Sequence, residues 1–247
     1  MRALTFASRN TKEILRDILT LIFGVAFPIV LLILLSMINK SIPAGYGPDL
    51  FHIEKLAPGI AVFGLSFLSL FSSMLIAKDR TTSFVLWLFT SPLKPADFIL
   101  GYTLPMLPMA LLQSVVCYLA ALLFGFPLSV NILLAVVVNI PIAVVFIALG
   151  LLFGTILNEK AVGGVCGALL TNLSAWFSNI WFDTAMVGGA FKKLADLLPF
   201  SHAVNAARAA VAGDFSAILP DLWWVIGYAV VLLVAAVAVF AVKLKKN

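Results

Sequence analysis

The chain is 247 residues long, 63% hydrophobic and only 11% charged, with a mean hydropathy of +1.13. A water-soluble domain is nearer half apolar and a quarter charged, and it must present a largely polar surface, so this composition excludes an ordinary soluble enzyme. The formal charge of +5 and the isoelectric point near 9.3 then speak for membrane topology rather than for nucleic acid as a partner.

In chain order, residues 1–17 place Leu4, Ala7, Ile14 and Ile18 near helical spacing, with Arg2, Arg9, Lys12 and Arg16 available to headgroups. That pattern predicts an interfacial helix. A bilayer core about 30 Å thick takes roughly 20 apolar residues of helix, and uncharged runs at 18–38, 56–77, 99–124, 130–157, 161–182 and 222–242 predict six transmembrane helices. Pro105, Pro108 and Pro141 predict tilt or kinks in the third and fourth. The first run is longer than a signal-peptide core and no small-x-small pattern follows Ile38, so the N-terminus is expected in the cytosol.

Three segments lie outside these spans, beginning with the interfacial helix. Residues 78–98 open with Lys78, Asp79, Arg80, Thr81, Thr82 and Ser83 and continue through Phe84, Leu86, Trp87, Leu88 and Phe89. Charges and caps followed by apolar anchors suit an element that docks in a partner's groove, and equally a hairpin lying on the inner leaflet. Residues 183–221 carry two short helical patterns, one ending at Leu198 and one from Ser201, an N-cap, to Ala212, with Gly213 as C-cap. Phe191, Leu194, Leu197, Leu198 and Val204 predict that this segment dips into the outer leaflet as a re-entrant hairpin. The expected fold is a single all-α integral membrane domain over 1–247.

Orientation follows from basic residues in alternate loops. One face collects eleven: Arg2, Arg9, Lys12, Arg16, Lys78, Arg80, Lys94, Lys160, Lys243, Lys245 and Lys246. The other holds Lys40, Lys55, Lys192, Lys193 and Arg208, which predicts both termini on the cytosolic side. Trp176, Trp181, Trp223 and Trp224 then fall near the outer ends of the last two spans, where an aromatic belt belongs.

The spans contain no ionisable residue, although an ion-coupled transporter usually carries one at mid-depth. Their polar groups, among them Ser66, Ser69, Ser72, Ser73, Gln113, Asn139, Asn172, Ser174 and Asn179, can hold helices together without titrating. No G-x-x-x-x-G-K-[ST] loop is present, so energy from ATP would have to enter through another polypeptide. His52 and His202 lack metal-ligand spacing, Cys117 and Cys166 lie in apolar runs as packing residues, and no catalytic or metal set emerges. Gly150 with Gly154, and Gly163 with Gly167, form two G-x-x-x-G pairs that suit a packed bundle or a dimer. At this stage a passive or secondary transporter and a membrane scaffold subunit remain open alternatives.

The arrangement resembles the permease subunit of ABC type-2 exporters over nearly the whole chain. Two motifs carry the resemblance: Asp79 and Arg80 followed by Ser91, Pro92 and Leu93, similar to that family's coupling-helix region, and Pro199, Phe200, Ser201, His202 with Arg208 beyond them. Asp79 and Thr81 stand where the family more often has Glu and Gly. The resemblance implies a dimer with a second copy or a similar permease, and two ABC ATP-binding subunits that hold ATP and Mg and dock at Lys78, Asp79, Arg80, Thr81, Thr82, Ser83 and Trp87. It implies a substrate path lined by Phe63, Ser66, Phe67, Asn172, Trp176 and Asn179, and export of an amphiphilic substrate by alternating access across a prokaryotic plasma membrane.

Overall fold

The computed structural model describes residues 2–43, 49–82 and 94–246, which are helical throughout most of their length and contain no strand. Helix α1 (Arg2–Arg16) forms where a helix was predicted, but its buried line differs from the predicted one. Phe6, Ala7, Asn10 and Ile14 face inward, while Leu4 and Ile18 are 64% and 69% exposed. The reason is a specific socket: the Phe6 ring packs edge-on against Tyr102 at 4.9 Å and Phe98 at 5.8 Å, and Asn10 donates to the Gly101 carbonyl at 3.0 Å.

The first span is helical from Ile18 to Ser41, in three parts: α2 (Ile18–Leu21), a π-helical stretch (Ile22–Ala26) and α3 (Phe27–Ser41). Helix α4 (Ile53–Thr81) covers the predicted second span, and 78% of its most apolar window is buried, which makes it the central post of the bundle. At the start of helix α5 (Pro95–Leu122) the Asp97 carboxylate accepts from the Lys94 backbone N–H at 3.0 Å. Both α5 and α6 (Asn131–Ile156) continue through Pro105, Pro108 and Pro141.

Helix α6 packs along α4 at very short range. A Cβ on Gly150 would sit 2.1 Å from the Ser72 hydroxyl and 2.2 Å from the Ser69 carbonyl oxygen, and one on Gly154 would sit 2.2 Å from Ile76. The Ser72 hydroxyl donates to the Leu68 carbonyl at 2.7 Å and reaches the Ile147 carbonyl at 3.2 Å, so small residues and a hydroxyl together bond the two helices. This G-x-x-x-G pair therefore serves the inside of the bundle.

The predicted span 161–182 requires correction. The chain is helical only from Glu159 to Trp176, as α7 (Glu159–Val162), a π-helical stretch (Gly163–Leu170) and α8 (Thr171–Trp176), and then turns. Gly163, Gly164 and Gly167 weaken the regular ladder at its centre, and the chain leaves the helix at Phe177 into a turn that includes Asn179 at φ 60°. Among the described residues, five helices are long and apolar enough in themselves to cross a membrane: Ile22–Ser41, α4, α5, α6 and Phe215–Lys243.

The segment read as a re-entrant hairpin holds α9 (Thr184–Val187), α10 (Gly189–Leu197) and α11 (Pro199–Ala212), and the chain ends in α12 (Phe215–Lys246). Helix α11 enters the bundle between α4, α6 and α12, with Phe200 stacked on Phe146 at 5.8 Å and Val204, Ala206, Ala207 and Ala210 fully enclosed. It begins two residues earlier than predicted. Leu198 is the N-cap and Pro199 opens the helix, while the predicted cap, Ser201, instead donates to the Ala195 carbonyl at 2.6 Å. Gly213 ends it as predicted, at φ 74°.

Candidate functional site

Two polar clusters mark opposite ends of the bundle. At the end that carries α1, Asp79 is only 1% exposed, although its neighbours Lys78 and Thr81 are open to solvent. Its carboxylate accepts two hydrogen bonds from Arg9, at 2.7 and 2.8 Å, and a third from the Tyr102 hydroxyl at 2.8 Å. Arg9 also meets Glu13 at 2.8 Å, and Glu13 meets Lys78 at 3.0 Å. A bidentate arginine and a phenol thus neutralise a carboxylate that would otherwise be costly to bury, and they tie α1 to α4 and α5. Arg80 turns the other way. Its guanidinium donates to the carbonyls of Gly154, Thr155 and Leu157 at 2.7 to 3.0 Å, closing off the open end of α6.

Asp79 and Arg80, which the family resemblance implies for docking, are therefore turned toward this chain's own helices. Of the remaining predicted set, Lys78 is bonded to Glu13, Thr81 donates to the Lys78 carbonyl, and Thr82 caps the same turn. Ser83 and Trp87, with Ser91, Pro92 and Leu93, lie outside the described residues.

The residues predicted to line a path are not all brought to one surface. Ser66 is buried with its hydroxyl on the Phe63 carbonyl at 2.6 Å, and Phe67 is packed among Phe23, Phe27 and Phe63. Phe63 meets Trp181 edge-on at 5.9 Å. Asn179 is a turn residue: its left-handed backbone presents its carbonyl to Arg208, and its side chain accepts from the Thr184 backbone N–H at 2.9 Å. Only Asn172 and Trp176 remain exposed, on α8.

At the opposite end, Arg208 donates to the Asn179 carbonyl at 2.9 Å and to the Lys55 carbonyl at 3.1 Å, tying α11 to the turn after α8 and to the start of α4. Burial pulls its pKa down to about 10, which leaves it charged at neutral pH. His202 lies nearby in sequence but faces α10 and α12. Its Nδ1 stands 2.5 Å from the Asp221 carboxylate and its Nε2 stands 2.8 Å from the Asp196 carbonyl, with the ring stacked on Trp224.

A family model, ABC-2 type transporter, matches residues 2–211. The chain belongs to that family. No curated protein matches it. This ABC-2 permease is thus a multi-pass membrane transport component, and the matched residues include Arg9, Asp79, Tyr102 and Arg208.

Sequence reasoning missed Arg9 and Tyr102 as the partners of Asp79 in this permease, because they lie 70 and 23 residues away. The signal that was present is the Arg9/Glu13 pair at i, i+4, which marks one polar edge of α1. It also missed the neighbour of His202. Both ring nitrogens face acceptors, so the imidazolium, which donates twice, is the form this site holds. The Asp221 hydrogen bond raises the pKa above its ordinary 6.5 against the opposing effect of burial.

The sign of the pH effect follows. Below 6.5 the ring is protonated folded or unfolded and the pair contributes in full; as pH rises through the raised folded value that contribution is lost. Thermal stability of the purified permease should therefore fall above pH 6.5, and His202→Gln should flatten that part of the profile. An identical slope in the variant would assign the pH dependence elsewhere.

Proposed function

We propose that this chain is the permease subunit of an ATP-driven exporter, moving an amphiphilic substrate outward across a prokaryotic plasma membrane. The observation that carries the reading is the ABC-2 type transporter match over residues 2–211. In it the α1 end faces the cytosol, because Arg9, Lys12, Arg16, Lys78, Lys160 and Lys243 all gather there. ATP and Mg belong to a separate ABC ATP-binding subunit, and residues 83–93, with Ser83 and Trp87, form its docking element. Asp79 and Arg80 support that element from below by fixing the last turn of α4 to α1 and α6.

A second copy of the chain completes the path. Gly163 and Gly164 have nothing within 4 Å of an added Cβ, and Leu169 and Trp176 are 56% and 50% exposed. Asn172 is exposed on the same helical run, its amide nitrogen on the Ala168 carbonyl at 2.8 Å. An amide at this depth is best covered by another helix or a wet path, which favours a dimer through this face over contact with lipid tails. Alternating access driven by the ATPase then needs no titrating group in the spans.

The test is co-purification from native membranes in mild detergent. A soluble P-loop protein should accompany the wild-type chain and confer ATPase activity, and Trp87→Ala should weaken that association while membrane insertion is retained. Recovery of a stable chain without any ATPase partner would favour a passive transporter.

A further inference from the structure

A cavity of about 940 Å³ opens between α1, the start of the first span and the α1 end of α4. Its volume lies in the range of small-molecule sites, and its walls are of two kinds. Phe71, Met74, Leu75, Met106 and Ile14 make one side apolar. The other side is polar, with the hydroxyls of Thr5, Ser8 and Thr20 among charged groups of both signs.

Part of that charge is already used within the protein: Glu13 is bonded to Arg9 and Lys78, and Arg9 to Asp79. Lys12 and Arg16, on the same face of α1, make no ion pair among the described residues, and neither does Glu159 at the start of α7. Asp17 accepts a hydrogen bond from the Thr20 hydroxyl at 2.8 Å and lines the same space. The cavity thus offers two uncommitted cations and carboxylate oxygens together, with an apolar wall beside them. A purely anionic headgroup would meet Glu159 and Asp17 unfavourably. A quaternary ammonium would find no N–H donors of its own to offer them and no aromatic cage, since Phe71 is the one ring among the described lining residues. A phosphate joined to a primary ammonium satisfies both signs.

We propose that this cavity holds the headgroup of a resident ethanolamine-type phospholipid, with its phosphate on Lys12 and Arg16 and its ammonium on Glu159. The beginning of an acyl chain then lies along Met74 with Phe71 and Leu75, and the lipid fills the joint between α1 and α4 that the Arg9–Asp79 pair closes on one side. The placement rests on the orientation given under Proposed function, which puts this end at the inner leaflet. Binding itself requires neither an ATPase nor transport, so the two readings fail separately.

The full chain, purified in mild detergent and stripped of lipid, is titrated with phosphatidylethanolamine, phosphatidylglycerol and phosphatidylcholine and read by native mass spectrometry. One ethanolamine lipid per chain should be retained about tenfold more tightly than either of the others. Lys12→Ala with Arg16→Ala should remove that preference by weakening ethanolamine-lipid binding about tenfold. Glu159→Gln should shift the balance toward phosphatidylglycerol. Both Lys12 and Arg16 are exposed, so circular dichroism should show the double variant folded. Equal retention of the three lipids, or unchanged ethanolamine-lipid binding in the double variant, overturns the site. With the ATPase and ATP added, a resident lipid stays bound; ATP-dependent loss would identify the amphiphile as transported cargo and overturn the resident assignment.

Discussion

Replacing Gly150 by valine is expected to abolish recovery of folded protein, and Gly154→Val should act in the same way. At Gly150 the first added carbon already falls 2.2 Å from a backbone oxygen of α4, and no rotamer change can move backbone aside. The helices would have to separate, with loss of the Ser72 to Ile147 contact and of the close packing around it. Overpacking of an interior usually costs about 1–3 kcal/mol, and a clash with backbone along the central helix belongs at or above the top of that range. Gly227→Val is the control, because nothing lies within 4 Å of a Cβ there. Fluorescence-detected size-exclusion yield should be near zero for the first two variants and near wild type for the third. Comparable yields in all three would mean that α4 and α6 are not in this intimate contact.

The second large effect is expected at Asp79. Asp79→Ala leaves the Tyr102 hydroxyl buried without its acceptor and Arg9 without its bidentate partner, while a hole opens beside both. Breaking one side of a buried charged pair costs about 3–5 kcal/mol, and the partial exposure of Arg9 places this case near the lower end. The thermal midpoint in detergent should fall by roughly 10 °C. Arg9→Gln should produce a smaller drop, and the double variant should be little worse than Asp79→Ala alone, because both changes remove one interaction. Strictly additive effects would separate the two residues. If the docking element keeps its shape only while α1 is latched, ATPase co-purification should weaken in parallel with stability.

The long helices were legible because lipid imposes a simple code. A helix such as α4 must be apolar for its full crossing, and the uncharged run 56–77 lies inside the observed Ile53–Thr81 with the charged turns added at its ends. Hydropathy does not register hydrogen-bond spacing, however. The stretch around Gly163, Gly164 and Gly167 is uncharged and largely apolar, and its π-helical course with the turn at Asn179 could not be read from that property. Asp79 shows the opposite limit. A Lys-Asp-Arg sequence beside a loop reads as solvated, and only the tertiary arrival of Arg9 and Tyr102 makes a buried carboxylate affordable there. The same holds at the far end, where Arg208, visible in the sequence only as an outer basic residue and a motif position, spans two backbone carbonyls supplied by distant turns. The family resemblance makes Ser66 and Asn179 lining residues. Their partners prove to be nearby backbone, a competition that single-residue chemistry does not reveal.

The three carbonyls held by Arg80 have a mechanical consequence. A load delivered to residues 83–93 enters the described structure at Thr82, two residues from that guanidinium, before it can travel along α4. The arginine rivets α4 to the tip of α6, while Asp79 beside it rivets α4 to α1. A pull at this point is therefore shared among three members from its first turn.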